Sequence, residues 1–263
     1  MSEQAAALEP RRELRYPSVD DLRQAGVAAV DIEEATPELR RGPEFFRERV
    51  MALNPPPGAR VLDAACGIGT WSLALASEGR FVTALDVNMA RVRIGRDLQQ
   101  ANQVEGVAFL GGSVHELPFR DGVFDMVLCN GALMFVRPDH AVSELARVLK
   151  PGGLLYLTAN GIGWYLVELP WRALRRRRLV YLKGSVVCLA RALVKWTLGR
   201  DLPLTAFTRS EVVRLLERHG VQPLIVCDEG RGQAPGAQVS PRPAYRGRYI
   251  GLNGIFEVIG RKC

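Results

Sequence analysis

The chain has no disulfide framework. Its five cysteines (Cys66, Cys129, Cys188, Cys227, Cys263) are odd in number and scattered. None stands in a Cys-x-x-Cys pair, so neither a cross-linked secreted scaffold nor a bound metal is expected, and a reducing cytoplasm is the expected location. Long apolar runs are missing too: no stretch of about 18 uncharged apolar residues exists to span a membrane. The segment Met1 to Arg15 is alanine-rich and charged without an apolar core, so no secretory leader is expected. Low-complexity tracts are absent, and 263 residues are ample for a real core.

Charge is present but unevenly spread. Between Gly161 and Thr205 stand nine basic residues (Arg172, Arg175, Arg176, Arg177, Arg178, Lys183, Arg191, Lys195, Arg200) against Glu168 and Asp201. That excess of seven equals the net charge of the whole chain, +7. One segment carries the basicity.

Elsewhere the pattern alternates. Residues 1–57 read as a helical lead-in, with capped starts at Ser18-Val19-Asp20-Asp21 and Thr36-Pro37-Glu38, before Asn54-Pro55-Pro56-Pro57 breaks the chain. Strands are expected at 61–63, 81–86, 107–110, 124–129 and 154–158. Helices are expected over 71–79, 89–103 and 138–149. A capped helix over 208–220 and strands at 224–227 and 254–260 close the chain, separated by a loop rich in Gly, Pro and Arg. Such alternation implies right-handed crossovers and a mostly parallel sheet with helices on both faces.

The most informative segment is Asp63-Ala64-Ala65-Cys66-Gly67-Ile68-Gly69-Thr70, a strand end running through a glycine turn into a helix. Glycines one residue apart let backbone bend sharply and approach a ligand. A dinucleotide-binding turn would place a third glycine where Ser72 stands. Asp86, at the next strand end, suits a ribose in either reading. Alone, the turn decides little.

In order along the chain come Val61-Leu62-Asp63-x-x-Cys66-Gly67-x-Gly69-Thr70, Leu85-Asp86, Gly112-Ser113-x-x-x-Leu117-Pro118-Phe119, Phe124-Asp125-x-Val127 and Leu145-Ala146-Arg147-Val148-Leu149-Lys150-Pro151-Gly152-Gly153. This set resembles the class I S-adenosylmethionine-dependent methyltransferases, in particular the branch containing quinone-biosynthesis enzymes. The resemblance is dense over about residues 58–160. It implies a Rossmann-like α/β fold with a seven-stranded, mostly parallel sheet, an antiparallel last strand and a helical cap inserted after strand five. On that reading residues 58–263 are the methyltransferase domain and residues 160–207 are a basic helical insertion forming a lid or acceptor wall.

The resemblance also implies cofactor roles. Asp63 would hold the turn and help fix the methionine amino group, and Cys66, Gly67 and Gly69 would shape the bed of the amino-acid portion. Asp86 would accept the ribose hydroxyls, as two carboxylate oxygens can, and Val87 would pack on adenine. Ser113 and Val114 would line the adenine edge, and Asn130 would sit near the sulfonium. Relatives often carry an acidic residue where Ser113 stands and some carry histidine where Phe135 stands, so those contacts are not carried over.

No catalytic base is identified. His219 suits a helix end, His140 an exposed helix start, and His115 a loop brace; Asp125 reads as a strand brace and Cys66 as a small packed residue. Displacement at a sulfonium can proceed by alignment of acceptor and methyl. Ligands bind beyond the carboxyl ends of parallel strands, so the insertion lies over the site, with Trp164, Tyr165 and Trp171 as candidate substrate lining. Ordinary packing within the cap is the alternative for each.

A second insertion helix is expected over 185–198, with Val186, Leu189, Ala190, Leu193, Val194 and Thr197 on one face and Arg191 and Lys195 interrupting it. Residues 172–200 suit a solvated lid, peripheral contact with the inner face of an anionic membrane, or an anionic acceptor. RNA is disfavoured because no base-stacking aromatics accompany the arginines. The expectation is methyl transfer to a small biosynthetic or lipid-associated acceptor. RNA methylation and a non-catalytic partner-binding module are the alternatives.

Overall fold

Buried strands alternating with helices close into one sheet in the computed structural model, which describes residues 14–24, 32, 36–176, 179–200, 202–245 and 247–263. Short helix α1 (Val19–Gln24) and helix α2 (Gly42–Ala52) precede β1 (Arg60–Ala64). There follow α3 (Thr70–Ser77), β2 (Phe81–Asp86), α4 (Met89–Asn102), β3 (Val107–Gly111), β4 (Phe124–Cys129), α5 (Pro138–Val148) and β5 (Leu149–Asn160). The insertion contains a widened helical turn at Trp164–Glu168, then α6 (Leu169–Arg176) and α7 (Leu179–Leu198). The chain ends with α8 (Arg209–Arg218), β6 (Val221–Asp228), β7 (Arg248–Tyr249), β8 (Leu252–Asn253) and β9 (Ile255–Lys262).

The seven strands lie in the order β3-β2-β1-β4-β5-β9-β6. Strands β1 to β5 pair in parallel, and β9 runs antiparallel to both β5 and β6. The expected sheet is therefore present, its final strand inserted between the fifth and sixth. Strand order reverses about β1 and β4, which opens a crevice above their carboxyl ends.

Both faces of the sheet are covered, which is why its strands read as near-continuous apolar runs. Val61, Met126, Leu128 and Tyr156 join one core with Phe46, Val50, Leu73, Leu75 and Val92 of α2, α3 and α4. Leu62, Val127, Leu155 and Leu157 face the other way, against Val142, Leu145, Val212 and Leu216 of α5 and α8. Local signals set the ends of the helices. Thr208 and Glu211 form a reciprocal capping box on α8, and Asn88 accepts from Ala90 and Arg91 at the start of α4.

Several boundaries differ from expectation. Strand β5 begins at Leu149 and takes in Lys150-Pro151-Gly152-Gly153, because Phe124 already pairs with Leu149 before the register shifts. The loop after β6 carries the small β7–β8 hairpin, which its turn-rich composition concealed. Helix α7 begins at Leu179 instead of 185.

The insertion is pinched at its base. Phe207 donates its amide to the Asn160 carbonyl at 2.9 Å, and Gly161 bridges Phe207. Gly161 has to be glycine, since a Cβ there would strike the Asn253 backbone. A third apolar cluster of Trp164, Tyr165, Cys188, Ala192, Ala206, Tyr249 and Ile255 holds the cap together.

Candidate functional site

The turn after β1 is built from backbone. Ala65, Gly67 and Gly69 have φ of 61°, 58° and 80°. Three alternate residues in the left-handed region bend the chain out of the strand and start α3 at Gly69. A Cβ on Gly69 would collide with the Phe109 ring, whereas the Cβ direction of Gly67 is open, with only Glu38 Oε1 at 4.0 Å. Gly69 thus closes the turn against the core, and Gly67 leaves a bare surface facing a cavity.

Two buried carboxylates brace the turn. Asp63 accepts a 2.5 Å hydrogen bond from the Ser72 hydroxyl, so the residue standing at the third glycine position acts as an anchor. Burial pushes the Asp63 carboxyl up to about 6, opposed by that bond. Asp86 accepts from the Gly67 amide at 2.8 Å and from the Asn88 amide at 2.8 Å through its other oxygen. Its pKa is raised by burial and partly restored by the Asn88, Gly67 and Val87 amides. Three amides leave the carboxylate acceptor capacity for a hydroxyl from the cavity.

The remaining strand ends converge on the same space. Val87, just beyond Asp86, is 77% exposed, a bare apolar platform. The Ser113 hydroxyl accepts from the His115 amide at 3.2 Å. His115 Nε2 in turn accepts the Arg137 amide at 2.9 Å, which makes this histidine a loop brace. Asn130 accepts from Thr158 Oγ1 at 3.2 Å. One cavity of about 870 Å³ is lined by Asp63, Cys66, Gly67, Asp86, Val87, Ser113, Val114 and Asn130. Gly69 alone of the expected set stays off its wall. Burial drives the Cys66 thiol well above its ordinary pKa, which favours the packed thiol over the thiolate.

Among the expected substrate residues, Trp164 lines this cavity. Tyr165 does not: it is buried in the cap, donating to the Thr205 carbonyl at 3.4 Å. Trp171 borders a smaller neighbouring cavity of about 460 Å³. The other residues weighed have structural partners. Asp125 holds the Arg60 amide and Lys150 Nζ, and His219 faces Asp139 at 3.2 Å.

Much of the cavity wall is absent from the sequence reading. Glu38 accepts from Thr70 Oγ1 at 3.1 Å, and its enclosure pushes it up to about 7. Arg49 on α2 is 3% exposed and binds Glu229 at 2.8 Å, Glu257 at 3.1 Å and the Tyr156 hydroxyl at 3.0 Å. Glu229 then accepts the Ala244 and Tyr245 amides at 2.7 and 3.0 Å. This places Tyr245 edge-on to Trp164, with ring centroids 5.3 Å apart. Arg172 lies over Trp164 at 4.8 Å and Arg41 over Tyr245 at 4.8 Å. These partners lie up to 208 residues apart, so no local pattern could have revealed them.

Asn160, at the end of β5, lines the cavity, and its enclosed Oδ1 has no hydrogen-bond partner among the described residues. An unmet acceptor at 5% exposure is costly unless a ligand supplies the donor.

Residues 62–157 match the family model described as a methyltransferase domain. The demethylmenaquinone methyltransferase of Bacillus cereus is 34% identical over 128 residues, covering 47% of this chain and 54% of that protein. The chain thus matches about half the length of its curated relatives. The crystal structure of an S-adenosylmethionine-dependent methyltransferase from Methanosarcina mazei aligns with a TM-score of 0.52 at 24% identity, over 79% of this chain and 93% of that one. The [4+2]-cyclase SpnF aligns with a TM-score of 0.54 at 20% identity, over 82% and 79%. Likeness at that level shows the fold, and one fold hosts several chemistries. The family match over residues 62–157 and the sheet order agree on the fold of a methyltransferase domain.

Proposed function

We propose that the chain transfers a methyl group from S-adenosylmethionine to a small, largely apolar acceptor by direct in-line displacement. The observation that carries this reading is a cavity of about 870 Å³ shared by the strand ends and the cap. Pockets for one small ligand start at roughly 300 Å³, so there is room for a donor and an acceptor together.

The donor half suits that cofactor. Asp86 would hold the ribose, Val87 the adenine face, Ser113 and Val114 the adenine edge, and Gly67 the open bed of the amino-acid portion. Asp63 and Glu38 would offer negative charge to the ammonium group. When bound, the cofactor supplies a methyl group activated on a positively charged sulfur. The chain contributes alignment and exclusion of water.

The acceptor half is residues 160–207, read as lid and wall, with the lead-in 1–57 closing the remaining side through Glu38, Phe45 and Arg49. Trp164 and Tyr245 supply apolar area, and Asn160 Oδ1 awaits a hydroxyl or N–H donor. Support for an aromatic acceptor comes from this lining and from relatives named for the methylation of demethylmenaquinone.

Calorimetry with S-adenosylhomocysteine tests the donor site, and absence of binding would overturn the proposal. Methyl transfer to hydroxylated bicyclic aromatics tests the acceptor. There Asn160→Leu is expected to raise KM about tenfold while leaving S-adenosylhomocysteine affinity unchanged.

A further inference from the structure

Helix α7 is turned inside out for a helix facing water. Its inward side carries Ser185, Cys188 and Ala192, with Lys195 mostly covered. Lys195 Nζ binds the Ala206 carbonyl at 2.6 Å and Glu211 at 3.1 Å. Arg191 Nη1 binds the Pro203 carbonyl at 3.2 Å. The apolar side faces out: Leu179 is 71% exposed, Leu182 44%, Val186 60% and Leu193 60%. At about 100° per residue these four fall within an arc of roughly 60°. Trp171 and Leu174 are exposed on α6, which packs against α7.

The expected face of Val186, Ala190, Leu193 and Thr197 exists and points to solvent, with only Leu189 and Val194 half-buried. One point of the expectation is corrected. Arg191 and Lys195 do not break that face; they belong to the opposite one. Burial of a charged, small-residue face and exposure of an apolar one runs against hydrophobic sorting unless something covers the outside.

We infer that the outer face of α7 docks on the surface of an anionic lipid bilayer. Charge selects that occupant. Arg191 and Lys195 are turned inward and Arg172 pairs with Glu168, but Arg175, Lys183 and Arg200 of the same insertion are exposed, Lys183 about 40° round the helix from Leu179. A second copy would set this positive face against itself, whereas anionic headgroups attract it and acyl chains cover the leucines. No described helix is long and apolar enough to cross a membrane, so contact is with one leaflet.

The same helix reaches the candidate active site. Tyr181, on the inner side of α7, lines the main cavity along with Leu169 and Arg172 of α6. A lid lying on the bilayer would give the cavity an acceptor dissolved in that leaflet, a consequence that rests on the proposed methyl transfer. The docking itself does not.

The test is co-sedimentation of the full chain with vesicles of phosphatidylcholine and phosphatidylglycerol, and with vesicles of phosphatidylcholine alone. Binding is expected only to the anionic vesicles and should weaken with salt. Leu179→Asp, Val186→Asp and Leu193→Asp combined should lower partitioning on the order of tenfold or more. Phe81→Asp, exposed at the opposite end of the sheet, should leave it unchanged. S-adenosylhomocysteine titration of the same proteins reports the donor site separately, so loss of one property is distinguishable from loss of the other. Equal pelleting of the triple variant would overturn docking, as would no pelleting of the unaltered chain. So would a wild-type dimer that the triple variant dissolves in the absence of lipid, since the occupant would then be a second copy.

Discussion

The two halves of the cavity are built by different means. The half proposed for the donor is short-range: the turn 65–69, the carboxylates at the ends of β1 and β2, and the loops after β3 and β4. The half proposed for the acceptor is side chains drawn from α2, the insertion and the loop after β6. A backbone cradle is specified by glycines and strand ends wherever the surrounding sheet forms. A side-chain wall depends on every distant element that carries it. Variation in acceptor therefore costs little in fold, while variation in donor would undo the turn.

The largest expected effect falls on the long-range half. Arg49→Met strands the Glu229 and Glu257 carboxylates in the core, and about 3–5 kcal/mol of stability should be lost in denaturant unfolding. A loss below 1 kcal/mol would mean that α2 and the loop after β6 are not tied through this network. Next comes Asp86→Ala, which would remove the charge-assisted contact proposed for the ribose. S-adenosylhomocysteine affinity should fall about 100-fold by calorimetry, with a far smaller change in unfolding than Arg49→Met produces.

A pH series sharpens the contrast further. Asp63 and Glu38 are raised to about 6 and about 7 by burial. The folded state favours their protonated forms. Their burial therefore adds stability below the ordinary carboxylate range, and that contribution is lost as pH rises through 6 and 7. A cationic ligand beside them favours the charged forms. Affinity for S-adenosylmethionine should thus rise about tenfold between pH 5 and pH 8, and Glu38→Gln should flatten the upper part of that rise. The smallest effect is Ala65→Gly. Ala65 holds φ of 61°, and relief of that strain should stabilise the chain by about 0.5–1 kcal/mol without altering the acceptor half.

Legibility in the sequence follows the same division. Asp63, Gly67, Asp86 and Asn130 could be read because each sits at a fixed offset from the end of an apolar run. Strand ends in a parallel sheet point at one crevice whatever the loops do. Ser72 read as a missing glycine, yet its hydroxyl anchors Asp63. Glu38 and Arg49 gave no signal, since a charged residue on a helical lead-in is ordinarily a solvated one. Tyr165 read as lining because the insertion lies over the strand ends, but successive residues on a helical turn face apart, and of the pair Trp164 reaches the cavity.

The sequence by itself determined the sheet, its parallel order and the glycine turn that faces the crevice. Those depend on periodicity and on residues a few positions apart, where backbone sterics act directly. Tertiary structure alone decided which way α7 faces and what pins the cap. An apolar stripe and a charged stripe can each lie inward, and the choice is made by the carbonyls of Pro203 and Ala206 and the carboxylate of Glu211 that meet Arg191 and Lys195. The glycine turn is thus written locally, while the insertion takes its orientation from partners elsewhere in the chain.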